Sequence, residues 1–404
     1  MTERPITRVC IMYPADPLGA VPGGIDTFIR GTLRWAPEDI EIMLIGATTD
    51  SATRPLRKWT SCKFGERTFR FYPILKLTDP DKRKKIPTSL VYTLALARSR
   101  DLVSADLLVF HGIEPSLAFL TDRRPKTAVI HQDMQVLRNP GADIRWKHVP
   151  RLYFALERLL MPRLQSVFCV RQNAVEDYKR RFSKIAGRFR FTPTWVDTEV
   201  FEPTTAERRR VGRELLRTEF GFPESDHVLI TVGRQDSQKN PMLLVESLNE
   251  VLSHNQNVRL LMVGDGQLRG EIENFARKCG LQDKIILCGV RTPEVVARYL
   301  HGADTFVLSS AYEGMPMCVM EALGCGLPVV STDVGEIGRV VRHGINGELV
   351  SKHDAMSLAN AILHCLANLD QYRGEPCVKA VQNLTPQEVL APIYDNYRQL
   401  AGNA

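Results

Sequence analysis

Short apolar runs alternate with helix-like segments along this whole chain, and the alternation restarts after a proline-marked break near the middle. Before the break the runs fall at 8–13, 41–46, 68–72, 105–110, 126–130 and 166–170, with helical periods near 25–35, 88–100, 148–161 and 173–182. The last helix carries a capping-box pattern, Asn173 with Glu176 three residues on. After the break come runs at 228–232, 259–263, 284–288, 304–308, 328–331 and 347–350, again with helices between them. Two of those helices open with Asn240-Pro241 and Thr292-Pro293, a capping residue followed by proline. Runs apolar at every position are buried on both faces, and intervening helices make the crossovers parallel. The pattern predicts an α/β protein of two doubly wound parallel sheets, 1–200 and 201–384, facing a cleft. A terminal helix over 385–404 would pack back toward the first domain. Segments 50–66 and 74–87 show no period and read as loops.

With 404 residues the chain can bury two cores. No apolar run reaches membrane-spanning length, and Met1 leads into the first strand without a secretory h-region. The nine cysteines form no Cys-x-x-Cys pair and no cluster at metal spacing, which points to a reducing cytoplasm. Charge is uneven: residues 1–200 hold 33 Lys+Arg against 21 Asp+Glu, whereas the remainder is acidic. Basic clusters at 81–85 and 178–190, with the apolar-basic stretch 151–160, favour an anionic membrane surface as a partner. No aromatic-basic interleaving or recognition motif accompanies them, so nucleic acid is excluded as a partner.

The densest chemistry lies in 309–350, where Glu313 and Glu321 bracket Gly314-Met315-Pro316 and an apolar helix follows. Pro316 suits the first helical position. A helix N-terminus at the carboxyl end of a parallel strand is an anion site, and the two carboxylates suit hydroxyl-bearing groups on either side of a phosphate. Gly233, Arg234 and Lys239 lie between a strand and a helix, where a guanidinium and an ammonium could clamp a diphosphate. Gly23 and Gly24 allow close approach of a phosphate to backbone amides. His131 ends one strand and His111 its neighbour; the first is the candidate sugar contact and the second reads as structural. Asp79-Pro80-Asp81 resembles a metal-nucleotide pattern but follows no strand, so no metal is expected.

In combination, Gly23-Gly24, His131, the 196–201 segment, Gly233-Arg234 with Lys239, Val263-Gly264-Asp265-Gly266, the Glu313/Glu321 pair and Gly347 resemble the retaining GT-B-fold glycosyltransferases of the group 1 (family 4) type. The resemblance implies two Rossmann-like domains and no cofactor beyond a nucleotide-sugar substrate, UDP- or GDP-linked. Arg234 and Lys239 would bind the diphosphate, Glu321 the ribose, and Glu313 the donor sugar. The amides of Gly314, Met315, Pro316 and Met317 would surround phosphate and sugar, Val290 would lie near the base, and His131 would reach the donor sugar from the other domain. Where the family often has Asn-Gly before the linker, this chain has Thr194-Trp195, and Asn240 replaces a common glycine.

The expected reaction moves a hexose from a nucleotide diphosphate to a hydroxyl acceptor with retention, in glycan, polysaccharide or glycolipid synthesis. The leaving phosphate would take the acceptor's proton, and domain closure would exclude water. Alternatives are a sugar phosphorylase, a nucleotide-sugar epimerase, or a non-catalytic partner subunit. A dinucleotide oxidoreductase is excluded by the lack of a Gly-x-Gly-x-x-Gly turn with a downstream acid.

Overall fold

A computed structural model describes residues 6–19, 23–77, 88–131 and 149–402. The Asp79-Pro80-Asp81 motif and the 81–85 basic cluster lie outside these. The chain divides into two compact units, one ending at Pro193 and rejoined by Pro386–Ala404, the other running from Thr194 to Thr385.

The first unit holds β1 (Thr7–Met12), β2 (Ile40–Thr48), β3 (Thr60–Phe64), β4 (Arg67–Lys76), β5 (Leu107–His111), β6 (Lys126–Ile130), β7 (Ser166–Cys169) and β8 (Phe189–Phe191). Its helices are α1 (Gly24–Arg34), α2 (Thr88–Ala97), α3 (Pro150–Leu160) and α4 (Gln172–Arg181). The sheet order is β3-β4-β2-β1-β5-β6-β7-β8, so the chain reverses its direction of travel between β1 and β5. All pairs are parallel except β3 with β4. That hairpin replaces the loop expected over 50–66. β3 escapes periodicity because it is an edge strand in which only Cys62 is buried, so no apolar run marks it.

The second unit holds α5 (Ala206–Phe220), β9 (His227–Val232), α6 (Pro241–His254), β10 (Val258–Val263), α7 (Arg269–Cys279), β11 (Ile285–Gly289), α8 (Pro293–Gly302), β12 (Thr305–Leu308), α9 (Met317–Gly324), β13 (Val329–Thr332) and β14 (Gly347–Val350). Then follow α10 (Ala355–Ala367), α11 (Leu369–Tyr372) and α12 (Glu375–Val381). The parallel sheet runs β11-β10-β9-β12-β13-β14, with its reversal between β9 and β12. Alternate residues feed opposite faces: Val228, Ile230, Phe306 and Val329 join one core, and Leu229, Val307 and Val330 the other.

The unit boundary falls at 193/194 rather than 200 because 194–201 packs into the second core. Val196 and Phe201 are buried there, and the Val196 amide donates to the Leu384 carbonyl at 3.0 Å. Gly324 makes this fit, since a Cβ on it would stand 2.7 Å from Val196 Cγ2. The terminal helix, α13 (Pro386–Gly402), belongs to the first unit. There Arg398 forks onto Asp39 at 2.7 and 2.8 Å, and Tyr394 Oη donates to the Thr32 carbonyl at 2.8 Å.

Three helix starts differ from expectation. The α4 helix begins at Gln172 without a side-chain cap, so the Asn173/Glu176 box does not form; extended backbone ends at Arg171, two residues earlier than that pattern requires. Pro316 is the residue before α9 rather than its first turn, its ψ of 124° being extended. Asn240 precedes α6 in the left-handed region (φ +47°) with no cap bond from its side chain. That backbone favours glycine and is tolerated by asparagine, which accounts for the exchange at this position.

Candidate functional site

Two clusters stand at the carboxyl ends of the strands where each sheet reverses, the place where doubly wound sheets bind ligands. In the second unit the loop after β9 carries Gly233, Arg234 and Lys239, and the loop after β12 carries Glu313 to Pro316. The loops are stitched together. Ser309 Oγ donates to the carbonyls of Lys239 and Asn240 at 3.0 Å each, and the Ala311 amide donates to the Gln238 carbonyl at 2.8 Å.

Lys239 Nζ meets Glu313 Oε1 at 2.8 Å, and Ser310 Oγ donates to the same oxygen at 2.8 Å. Burial opposes the lysine charge, but the adjacent Glu313 carboxylate outweighs it and holds the ammonium above its ordinary range. Lys239 is thus a fixed cation, paired with an acid that sequence reading assigned to the sugar. Gln238 Nε2 reaches the Tyr312 carbonyl at 3.3 Å and completes the frame. Gly335 (φ +63°) underlies it: a Cβ there would come within 2.2 Å of the Gly314 carbonyl oxygen. In its actual place the next amide, of Glu336, donates to that carbonyl at 2.8 Å.

Arg234, the other cation of the expected clamp, is half exposed and 3.2 Å from Asp236 Oδ2. Gly233 lies against the lysine stem, its absent Cβ 3.1 Å from Lys239 Cε. Glu321, one turn into α9, makes no hydrogen bond or ion pair with its carboxylate among the described residues. Burial pushes it up to about 7, against the pull of Lys239 and with help from Asp197. Met315 is buried, and its carbonyl accepts a bond from Thr194 Oγ1 at 3.1 Å. The Thr194-Trp195 departure therefore braces the turn before Met317. Val290 follows β11, the edge strand, and no hydrogen bond links it to the Lys239–Glu313 pair among the described residues.

In the first unit Gly23 and Gly24 open α1 after β1, and His111 and His131 end β5 and β6. The Gly23 amide is already taken by Asp26 Oδ2 at 3.1 Å, whereas Gly24 borders open space. His111 Nδ1 lies 2.9 Å from His131 Nε2, with the ring planes 14° apart. Phe28 of α1 sets its edge on both rings. Burial lowers both imidazoles, His131 to about 3, so each is neutral at physiological pH. Sequence reading kept His111 apart from the site; the in-register pairing of β5 with β6 brings the two rings together. Ser310 and Gln238 also escaped it, because isolated polar residues carry no spacing signal.

The sequence between 212 and 375 matches the model of the family described as Glycosyl transferases group 1. The D-inositol 3-phosphate glycosyltransferase of Xylanimonas cellulosilytica is 29% identical over 197 residues, 48% of this chain and 46% of that protein. The chain spans about half the length of the curated relatives it matches. Among solved structures, sucrose-phosphate synthase from Thermosynechococcus elongatus superposes with a TM-score of 0.80 at 20% identity, covering 98% of this chain and all (100%) of that one. Anabaena HepE in complex with UDP-glucose superposes with a TM-score of 0.71 at 16% identity, covering 97% and 99%. With both sheets, their strand order and the Lys239–Glu313 loops described, the chain has the GT-B fold, and its 212–375 segment carries the group 1 glycosyl transferase pattern.

Proposed function

We propose that this protein is a retaining glycosyltransferase that takes a hexose from a nucleoside diphosphate and places it on a hydroxyl acceptor in glycan, polysaccharide or glycolipid synthesis. The observation that carries the reading is the Lys239–Glu313 pair, fixed between two loops at the sheet's reversal point beside an exposed Arg234 and a Glu321 carboxylate without a partner among the described residues. Cleavage of the anomeric bond leaves negative charge on the diphosphate, which Lys239, Arg234 and the first amides of α9 would stabilise. Glu313, aligned by Lys239 and Ser310, would hold donor sugar hydroxyls, and Glu321 the ribose. Proton transfer needs no protein base if the leaving phosphate oxygen accepts it on the face where the acceptor attacks, and the configuration is then retained. HepE binds UDP-glucose in its own structure, which makes a UDP-sugar the first donor to try.

A membrane-borne acceptor has its own support. Leu90 and Leu94 on α2 and Leu152 and Leu159 on α3 are exposed at helical spacings of one and two turns, with Leu94 55% and Leu152 61% accessible. Arg151 and Arg158 flank the second stripe. Apolar stripes bordered by arginine suit the headgroup region of an anionic bilayer, as does the basic first half. No helix among the described residues is long and apolar enough to cross a membrane.

The reading is tested by titrating UDP- and GDP-sugars into wild type and Glu321→Ala protein by calorimetry, and by following the anomeric proton of the product. One nucleotide sugar binding wild type at least tenfold tighter than the variant, with retention in the product, supports it. Equal affinity in both proteins, or an inverted product, sinks it.

A further inference from the structure

In the first unit, the contact between His111 and His131 limits where their protons can sit. A neutral imidazole has one N–H and one bare nitrogen, and the hydrogen bond at one fixes the other. Burial keeps both His111 and His131 neutral. Their contact, His111 Nδ1 to His131 Nε2 at 2.9 Å, therefore admits two arrangements. Either His131 donates from Nε2, which puts the proton of His111 on its own Nε2, or His111 donates from Nδ1 and leaves its Nε2 bare.

His111 Nε2 is buried and has no hydrogen-bond partner among the described residues. Its ring sits against the rings of Phe28 and Tyr13. In the first arrangement this atom is an orphaned buried N–H, and in the second an unused lone pair. Orphaned buried donors are the rarer of the two in folded proteins, and a bare ring nitrogen against aromatic carbon strands no hydrogen. The second arrangement is favoured.

We propose that His111 is a positioning residue: by donating its Nδ1–H to His131 Nε2 it holds His131 in the Nδ1–H form, so that His131 meets a sugar oxygen as a hydrogen-bond donor. The direction matters chemically. A sugar hydroxyl bonded this way accepts from the protein and keeps its own proton to give elsewhere, and His131 has no free basic nitrogen with which to deprotonate it. Phe28, packed edge-on at 5.0 Å from the His131 ring, holds the ring plane while His111 sets its tautomer. This rests on the reading that His131 contacts the donor sugar.

The test uses the full chain labelled with 15N in histidine, in which protonated and bare ring nitrogens resonate far apart. Wild type is expected to show His131 protonated at Nδ1 and bare at Nε2. His111→Leu should release that preference and lower kcat/KM about tenfold, the worth of one oriented hydrogen bond. His111→Asn, whose amide donates from nearly the same place, should restore both the tautomer and most of the rate. A wild-type spectrum with His131 protonated at Nε2, or an unchanged tautomer in His111→Leu, overturns the positioning role. His131→Ala separates the two claims: full activity there overturns the sugar contact even if the tautomer is as proposed.

Discussion

The two units place their chemistry at the same point of similar sheets, yet they build opposite electrical environments there. At the reversal between β9 and β12 the second unit assembles charge: Lys239, Glu313, Arg234 and Glu321 lie within two loops and one helix. At the reversal between β1 and β5 the first unit assembles two neutral imidazoles against Phe28 and Tyr13. The difference teaches that the fold supplies position and the loop residues supply polarity. A charged end suits a diphosphate, whereas a neutral, directional end suits a sugar hydroxyl, for which a buried ion would only add a desolvation cost.

The comparison can be broken most forcefully at the buried pair. Lys239→Ala leaves the Glu313 carboxylate buried without its cation and should cost about 3 kcal/mol of stability in the second unit, measured by urea unfolding. It should also abolish measurable donor binding. The double variant Lys239→Met with Glu313→Leu should regain most of the stability without regaining binding. If binding returns with stability, the pair is only a fold element.

Titration should separate the two ends next. Donor hydroxyls bond best to an ionised Glu321, whose pKa lies near 7 in the free protein. Donor affinity should therefore rise with pH through about 7, approaching tenfold per unit on the acid side. Glu321→Gln should flatten the curve. Stability runs the other way. Because the folded state holds this proton above the ordinary carboxylate range, Glu321's contribution falls as pH rises from about 4.5 to about 7. The histidine end should stay flat over that range, since His131 charges only near pH 3. A titration assigned to His131 between pH 5 and 8 by NMR would erase the contrast.

The smallest effect belongs to the surface of the first unit. Leu94→Ser with Leu152→Ser should change stability by no more than about 0.5 kcal/mol each, yet reduce flotation with vesicles rich in anionic lipid. Wild type that ignores lipid charge would remove the membrane partner while leaving the strand-end comparison intact.

Much of this architecture was legible in the residues themselves. The apolar runs marked eleven of the parallel strands plus β4, because a strand buried on both faces must be apolar throughout. β3 and the short β8 were not marked, the first for lack of burial and the second because Phe189–Phe191 carries a single buried residue. The residues of the charged end were also legible: Arg234, Lys239, Glu313 and Glu321 stood out by residue type and by position after a strand. Their pairing was not. Lys239 and Glu313 are far apart in sequence, and only the adjacency of β9 and β12 sets them 2.8 Å apart.

Sequence alone thus determined most of the elements, the two sheets and the residue types at each strand end, since these follow from periodicity and side-chain type over a few residues. Tertiary structure alone decided which groups meet. It joined Lys239 to Glu313, lodged 194–201 in the second core, and laid His111 against His131. Hydrogen bonds and ion pairs act over about 3 Å, and no spacing along the chain encodes a distance that strand order creates.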